Sequence, residues 1–161
     1  MRKVLEAISL GALAVLFWIT CRTIYGPERL PDRIPTHFDL AGRPNGWGSP
    51  TALLLLPVVA AASYLGISLT SRFPSAFHYP VRVTPQNRPR LQALSLQMIV
   101  CLKTEMMCLF AWIQWSIVEA VRNGSGRLSV ALVPLSLVAV FATVGWHLVA
   151  MFRAANPAPS P

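Results

Sequence analysis

Two sets of ionisable residues hold whatever chemistry this sequence could perform. His37 stands close to Asp32 and Asp39 in one short polar stretch. An imidazole beside carboxylates is a donor set for zinc or copper, and it can also hold a proton near neutral pH. One histidine does not make a metal site, and no HExxH or Cys/His cluster supplies further ligands. A structural His37, hydrogen-bonded within its own loop, is therefore the favoured reading. The second set, Glu6, Lys103, Glu105 and His147, lies inside or at the edge of apolar runs. Ionisable groups in lipid are costly and turn inward, so Glu6 is expected to pair with Lys103, or Glu105 with His147. Lys103 and Glu105, two positions apart on a helix, do not face one another. A Glu105–His147 pair would make a proton relay or a polar ligand pocket. Interfacial anchoring, with Lys103 snorkelling and Glu6 and His147 near water, is the favoured alternative.

An enzyme would need more than this. The sequence has no nucleophile–base set, no glycine loop to cradle phosphate and no complete metal motif, so a non-enzymatic role without a cofactor or bound metal is expected. Cys21, Cys101 and Cys108 all fall in apolar runs without CxxC spacing. They read as free thiols buried by packing rather than as a redox or zinc site.

The elements that must position these residues follow from a composition that is 54% hydrophobic and only 12% charged, with a mean hydropathy of +0.52. An average soluble domain carries roughly 25% charged residues. A chain of 161 residues so poor in charge has no polar exterior to spare, which points to lipid as its solvent. Four long apolar runs predict an all-α integral membrane protein with helices over about 4–25, 50–71, 90–121 and 128–152. These form one membrane domain over 1–153, followed by a disordered proline-rich tail at 154–161. The first run follows Arg2 and Lys3 but leads into Phe17-Trp18-Ile19-Thr20 rather than a small-x-small cleavage site, so it reads as an uncleaved helix. Ser49 and Pro50 form a capped start for the second helix, and Pro57 is expected to kink it. The third run would extend about 48 Å as a helix against a hydrocarbon core of roughly 30 Å, so part of it must protrude or tilt. Asn87 to Arg90 looks like its capped start in water.

The net charge of +8 resides mainly in arginines between the apolar runs. Basic loops beside membrane helices meet anionic headgroups, so the lipid bilayer, and not nucleic acid, is the expected partner for this charge. Four helices place both termini on one side. The N-terminus, second loop and tail hold seven cations against six in the first and third loops. Arg2 and Lys3 ahead of the first helix favour cytoplasmic termini. Gln97 and Gln114 are candidates for interhelical bonds, and Trp18, Trp112 and Trp115 are expected to gather with Trp47 at the outer interface.

The most distinctive stretch is the first loop, residues 30–49. Prolines 31, 35 and 44 stiffen it, glycines 42, 46 and 48 are expected to permit tight turns, and Phe38 and Trp47 can anchor it at the headgroup layer. An ordered extracytoplasmic loop is the expectation. Its pattern of Leu30, Pro31, Ile34, Pro35, His37, Phe38, Gly42, Asn45, Gly46, Trp47, Gly48 and Ser49 resembles the domain of unknown function DUF1648, which also opens the SdpI-like bacterial immunity proteins. With its flanking helices the resemblance covers roughly the first third of the chain. Phe77-His78-Tyr79-Pro80, Asn87-Arg88 and Leu102-Lys103-Thr104-Glu105 also look like short members of that family.

The resemblance implies a bacterial inner-membrane protein. In SdpI-like members the implied roles are resistance to a secreted toxic peptide and membrane sequestration of a repressor, and this chain is shorter than those proteins. The expected role is therefore binding, immunity or signalling, with a peptide toxin or a regulatory protein as partner. His37, Phe38, Asp39, Asn45 and Trp47 are the expected contact residues. A small transporter or membrane enzyme using Glu105 and His147, or His37, is the alternative.

Overall fold

The computed structural model describes residues 1–27, 29–128 and 132–155. In chain order the elements are α1 (Arg2–Ile24), β1 (Ile34–Phe38), β2 (Pro44–Gly48), a 3-10 turn (Pro50–Leu54), α2 (Leu55–Thr70), α3 (Arg88–Arg122) and α4 (Leu132–Ala155). Among the described residues four helical segments are long and apolar enough to cross a membrane, the second counted from Pro50 to Thr70. The chain is a mostly helical, multi-pass membrane protein. Its helices are apolar almost all round: the large apolar side chains Phe17, Leu65, Val138 and Phe141 are exposed. Water would penalise such a surface and lipid does not.

α3 is the hub, packed against α1, α2 and α4. In the middle of the bundle Leu16 of α1, Ala60 of α2 and Met107 of α3 are buried together, with Leu13, Leu56 and Phe110 packed around them. At 35 residues α3 is about 52 Å long at 1.5 Å per residue, well beyond what a bilayer core needs. Its N-terminal part carries the excess. Leu91 there is buried against Met151 and Ala154 of α4, and Tyr79, Val81 and Val83 of the preceding loop pack over them. Met1 meets Gln97 of α3, so the start of α1 and the end of α4 lie toward the same end of the bundle.

Several local expectations change. Pro57 is the third residue of α2, because the chain runs as a 3-10 turn before switching to α-helix at Leu55. A proline this early lies in the first turn of the α-helical part, where proline is tolerated. Ser49 does cap, its Oγ accepting from the Thr51 N–H at 3.4 Å. Asn87 precedes α3 without a side-chain cap: it accepts from the Thr84 N–H at 2.8 Å and donates to the Arg82 carbonyl at 3.0 Å. α4 is Leu132–Ala155; Leu128, the expected start, is not helical, and residues 129–131 lie outside the described residues. Ala154 and Ala155 belong to α4, while residues 156–161 of the expected tail also lie outside them. The thiols are not packed inside: Cys21 and Cys108 are exposed and Cys101 is half-buried, facing where lipid would be.

The all-helical expectation also needs amending, because the first loop contains an antiparallel two-stranded sheet. Ile34 pairs with Gly48 and His37 with Gly46. The strands are joined by a turn in which the Gly42 N–H bonds to the Asp39 carbonyl at 2.9 Å, and Gly42 takes φ +73°, a conformation open to glycine. Gly46 and Gly48 serve close approach rather than turning. A Cβ on Gly46 would lie 2.8 Å from the Cβ of His37, and one on Gly48 would lie 3.1 Å from Thr36 Cγ2. The hairpin is bolted to the helices by Leu30 and Ile34, which are buried with Ile19, Leu53 and Val118. The Leu128 N–H bonds to the Gly42 carbonyl at 2.9 Å, tying the loop after α3 to the hairpin tip.

Candidate functional site

Four polar centres stand out once the bundle is assembled, three between helices and one on the hairpin. In the first, Lys103 is only 2% exposed, and its Nζ donates to Glu6 Oε2 at 2.7 Å and to Ser68 Oγ at 3.0 Å. Its ammonium also lies 4.5 Å from the centroid of the Tyr64 ring, and the Tyr64 hydroxyl reaches Glu6 Oε2 at 3.4 Å. Lys103 therefore turns inward to a carboxylate rather than along its helix to water. A buried ammonium with an anion, a hydroxyl and a ring face around it is a satisfied charge. Tyr64 and Ser68 were not among the sequence candidates, although their spacing of four places them on one helix face, which was the available signal.

The second centre lies between α3 and α4, where Glu105 and His147 are joined through Thr143. The Thr143 hydroxyl donates to Glu105 Oε1 at 2.5 Å, and His147 Nδ1 lies 2.7 Å from the Thr143 carbonyl. A carbonyl can only accept, so Nδ1 carries the hydrogen. Glu105 Oε2 and His147 Nε2 are both buried without a hydrogen-bond partner among the described residues. The two sequence candidates are thus brought to one seam by a residue that sequence reading did not single out.

The third centre is built on Gln114, which is fully buried. Its Nε2 donates to Thr20 Oγ1 at 2.7 Å and to the Leu53 carbonyl at 3.1 Å. The Thr20 hydroxyl already donates to the Leu16 carbonyl at 2.8 Å, so both neighbours can only accept from Gln114. That fixes the amide orientation and leaves Oε1 without a partner among the described residues. Gln114 lines a cleft of about 250 Å³ beneath the hairpin, together with Pro35, Thr36, Leu53, Leu56 and Ile113. The cleft is apolar apart from that amide and the Thr36 side chain.

The fourth centre is the hairpin surface. His37 Nδ1 and Asn45 Oδ1 lie 2.6 Å apart across the strands, and both residues are exposed. Asp39 is not joined to His37. Its Oδ1 accepts from the Ala41 and Arg43 N–H groups at 2.9 and 2.8 Å, and its Oδ2 meets Arg43 Nε at 2.9 Å. The Arg43 backbone N–H, opposed by desolvation and helped by the Arg43 side chain and the Ala41 N–H, holds the Asp39 carboxyl below its usual value. Phe38 is half-buried and Trp47 is exposed. Among the described residues no three metal-ligating side chains come together. Trp18, Trp112 and Trp115 gather at the hairpin end of α1 and α3, lining adjoining hollows, with the Arg22 guanidinium 4.9 Å from the Trp18 ring.

Residues 12–61 match the family model described as "Domain of unknown function (DUF1648)". The match spans the second half of α1, the hairpin and the first turns of α2. An uncharacterized protein of Archaeoglobus fulgidus is 31% identical over 86 residues, covering 48% of this chain and 45% of the relative. The chain thus spans less than half the length of that curated relative. No solved structure matches it significantly.

Proposed function

We propose that this chain is a non-enzymatic membrane binding protein that receives a peptide at its hairpin-bearing end, with resistance to a membrane-active peptide as the physiological role. The observation that carries the reading is the cleft beneath β1, walled by Pro35, Leu53, Leu56 and Ile113 and backed by the buried Gln114 amide, whose two N–H groups are already spent. An apolar side chain of a peptide suits that lining. The same hairpin exposes Trp47, His37 and Asn45, an aromatic and polar surface for a partner. The DUF1648 match supports the reading by covering the hairpin and the start of α2, which supply the cleft lining from Pro35 to Val59. In this proposal the hairpin faces away from the cytoplasm of a bacterial inner membrane and both termini face inward.

The test is a challenge of cells with a membrane-active peptide, with and without the protein, joined to photo-crosslinking from Leu56 in the cleft and from Leu137 on the outward face of α4. Protection together with peptide adducts at Leu56 alone is the expected result. Unchanged survival removes the immunity role, and lipid adducts at both positions remove peptide recognition. Labelling of a cysteine placed at Leu40 from outside intact cells, without labelling at Ser75, fixes the orientation; the reverse pattern inverts it.

A further inference from the structure

The seam between α3 and α4 holds a second site, independent of the hairpin. Glu105 borders an open cleft of about 210 Å³ that runs along the two helices past Leu109, Leu135, Ser136 and Ala139 to Trp112. From Glu105 to Trp112 is seven residues, about 10 Å along the helix axis. The walls are apolar, and one end carries an acid. One carboxyl oxygen of that acid is held by Thr143, while the other is buried and unpartnered. No ion pair with Glu105 occurs among the described residues, and Lys103, two positions away, is occupied by Glu6 on another face of α3. His147 cannot compensate by donating from Nδ1, since that hydrogen is committed to the Thr143 carbonyl. A carboxylate in such surroundings is short of a positive charge.

We propose that the α3–α4 seam binds a lipophilic cation, an ammonium group on an elongated apolar body, with the Glu105 carboxylate as counter-charge and Trp112 against the far end of the body. Charge complementarity selects the ammonium, and the apolar lining selects what it is attached to. The open side of the cleft faces the same surroundings as the exposed Leu135, Leu137 and Val138 of α4, so the ligand arrives through lipid. A neutral amphiphile gains the lining but leaves the carboxylate uncompensated. A hydrophilic cation gains the charge but not the lining.

The experiment uses the full chain in lipid nanodiscs, with phenylbutyltrimethylammonium as the probe and its neutral carbon isostere, in which carbon replaces the nitrogen, as the comparison. Saturable binding of the cation is expected. Glu105→Gln should weaken it at least ten-fold while leaving neutral-isostere binding unchanged. Asp39→Asn, which removes a carboxylate at the hairpin, should change neither. Thermal unfolding of each variant establishes that it is folded. Should Glu105→Gln unfold, Ala139→Phe blocks the cleft without touching the acid and should abolish saturable binding. Equal affinity of Glu105→Gln and the parent chain for the cation, equal affinity of the parent chain for the cation and its isostere, or undiminished binding by Ala139→Phe overturns the proposal.

Discussion

Lys103 and Glu105 are two residues apart on one helix, lie at nearly the same depth and have opposite fates. Lys103 is surrounded: an anion, a hydroxyl and an aromatic face close over its ammonium. Glu105 is half-served, with one oxygen bonded to Thr143 and the other buried without a partner. The contrast separates two uses of charge in lipid. A saturated pair holds helices together, because each partner lowers the cost of burying the other. An unsaturated group contributes little to cohesion and is left to interact with something else.

The difference can be broken most visibly from the saturated side. Lys103→Met leaves Glu6 unpaired at the α1–α3–α2 junction and should cost about 3 kcal/mol, read as a large drop in thermal unfolding temperature in detergent. Adding Glu6→Gln to Lys103→Met should recover most of that loss, since the stranded charge is gone; a double mutant as unstable as the single one would show that the pair acts through packing alone. Gln114→Leu comes next. It removes two bonds and strands the Leu53 carbonyl, for a cost of roughly 1–2 kcal/mol in the same assay.

On the unsaturated side Glu105→Gln should change stability by less than about 1 kcal/mol, because no ion pair is lost and the amide still accepts from Thr143. A loss as large as that of Lys103→Met would erase the distinction. The smallest effect belongs to the hairpin turn and sharpens the comparison by showing a carboxylate outside lipid that is saturated by backbone. The Asp39 carboxyl is held below its ordinary value, so its contribution is complete above about pH 4, the unperturbed carboxylate value, and fades as pH falls through its own lower value. Amide protection factors at Ala41 and Arg43, taken against the intrinsic exchange rate at each pH, should therefore hold steady from neutral pH down to about pH 4 and fall only in stronger acid. A lower protection factor already at about pH 6 would contradict that sign.

How much of this was legible in the sequence depends on the length scale of the signal. Helices announce themselves through some twenty consecutive apolar residues, a requirement of the bilayer that few other folds imitate. The hairpin does not, because its strands contain Pro35 and Pro44, residues that argue against a strand except at a sheet edge. A two-stranded sheet is all edge, so the objection does not apply. The facing of Glu6 and Lys103 could be anticipated from the expense of charge in lipid, whereas the identity of their neutral partners depends on helix rotation, which apolar sequence barely specifies. Thr143 was overlooked for the same reason, despite standing one turn before His147. The thiols were misplaced because apolar surroundings in sequence mean protein interior in water but equally lipid here. Pro57 misled because a 3-10 turn shifts the true start of α2 by five residues from Pro50 to Leu55.

The excess length of α3 has a mechanical corollary. Its early end is clasped by Tyr79, Val81 and Val83 together with the close of α4, and the loop leaving its far end is pinned to the hairpin tip at Gly42. One continuous rod thus joins the two water-facing extremities of the molecule. A rod that overhangs the bilayer has its excess length held at both ends by these contacts rather than by lipid.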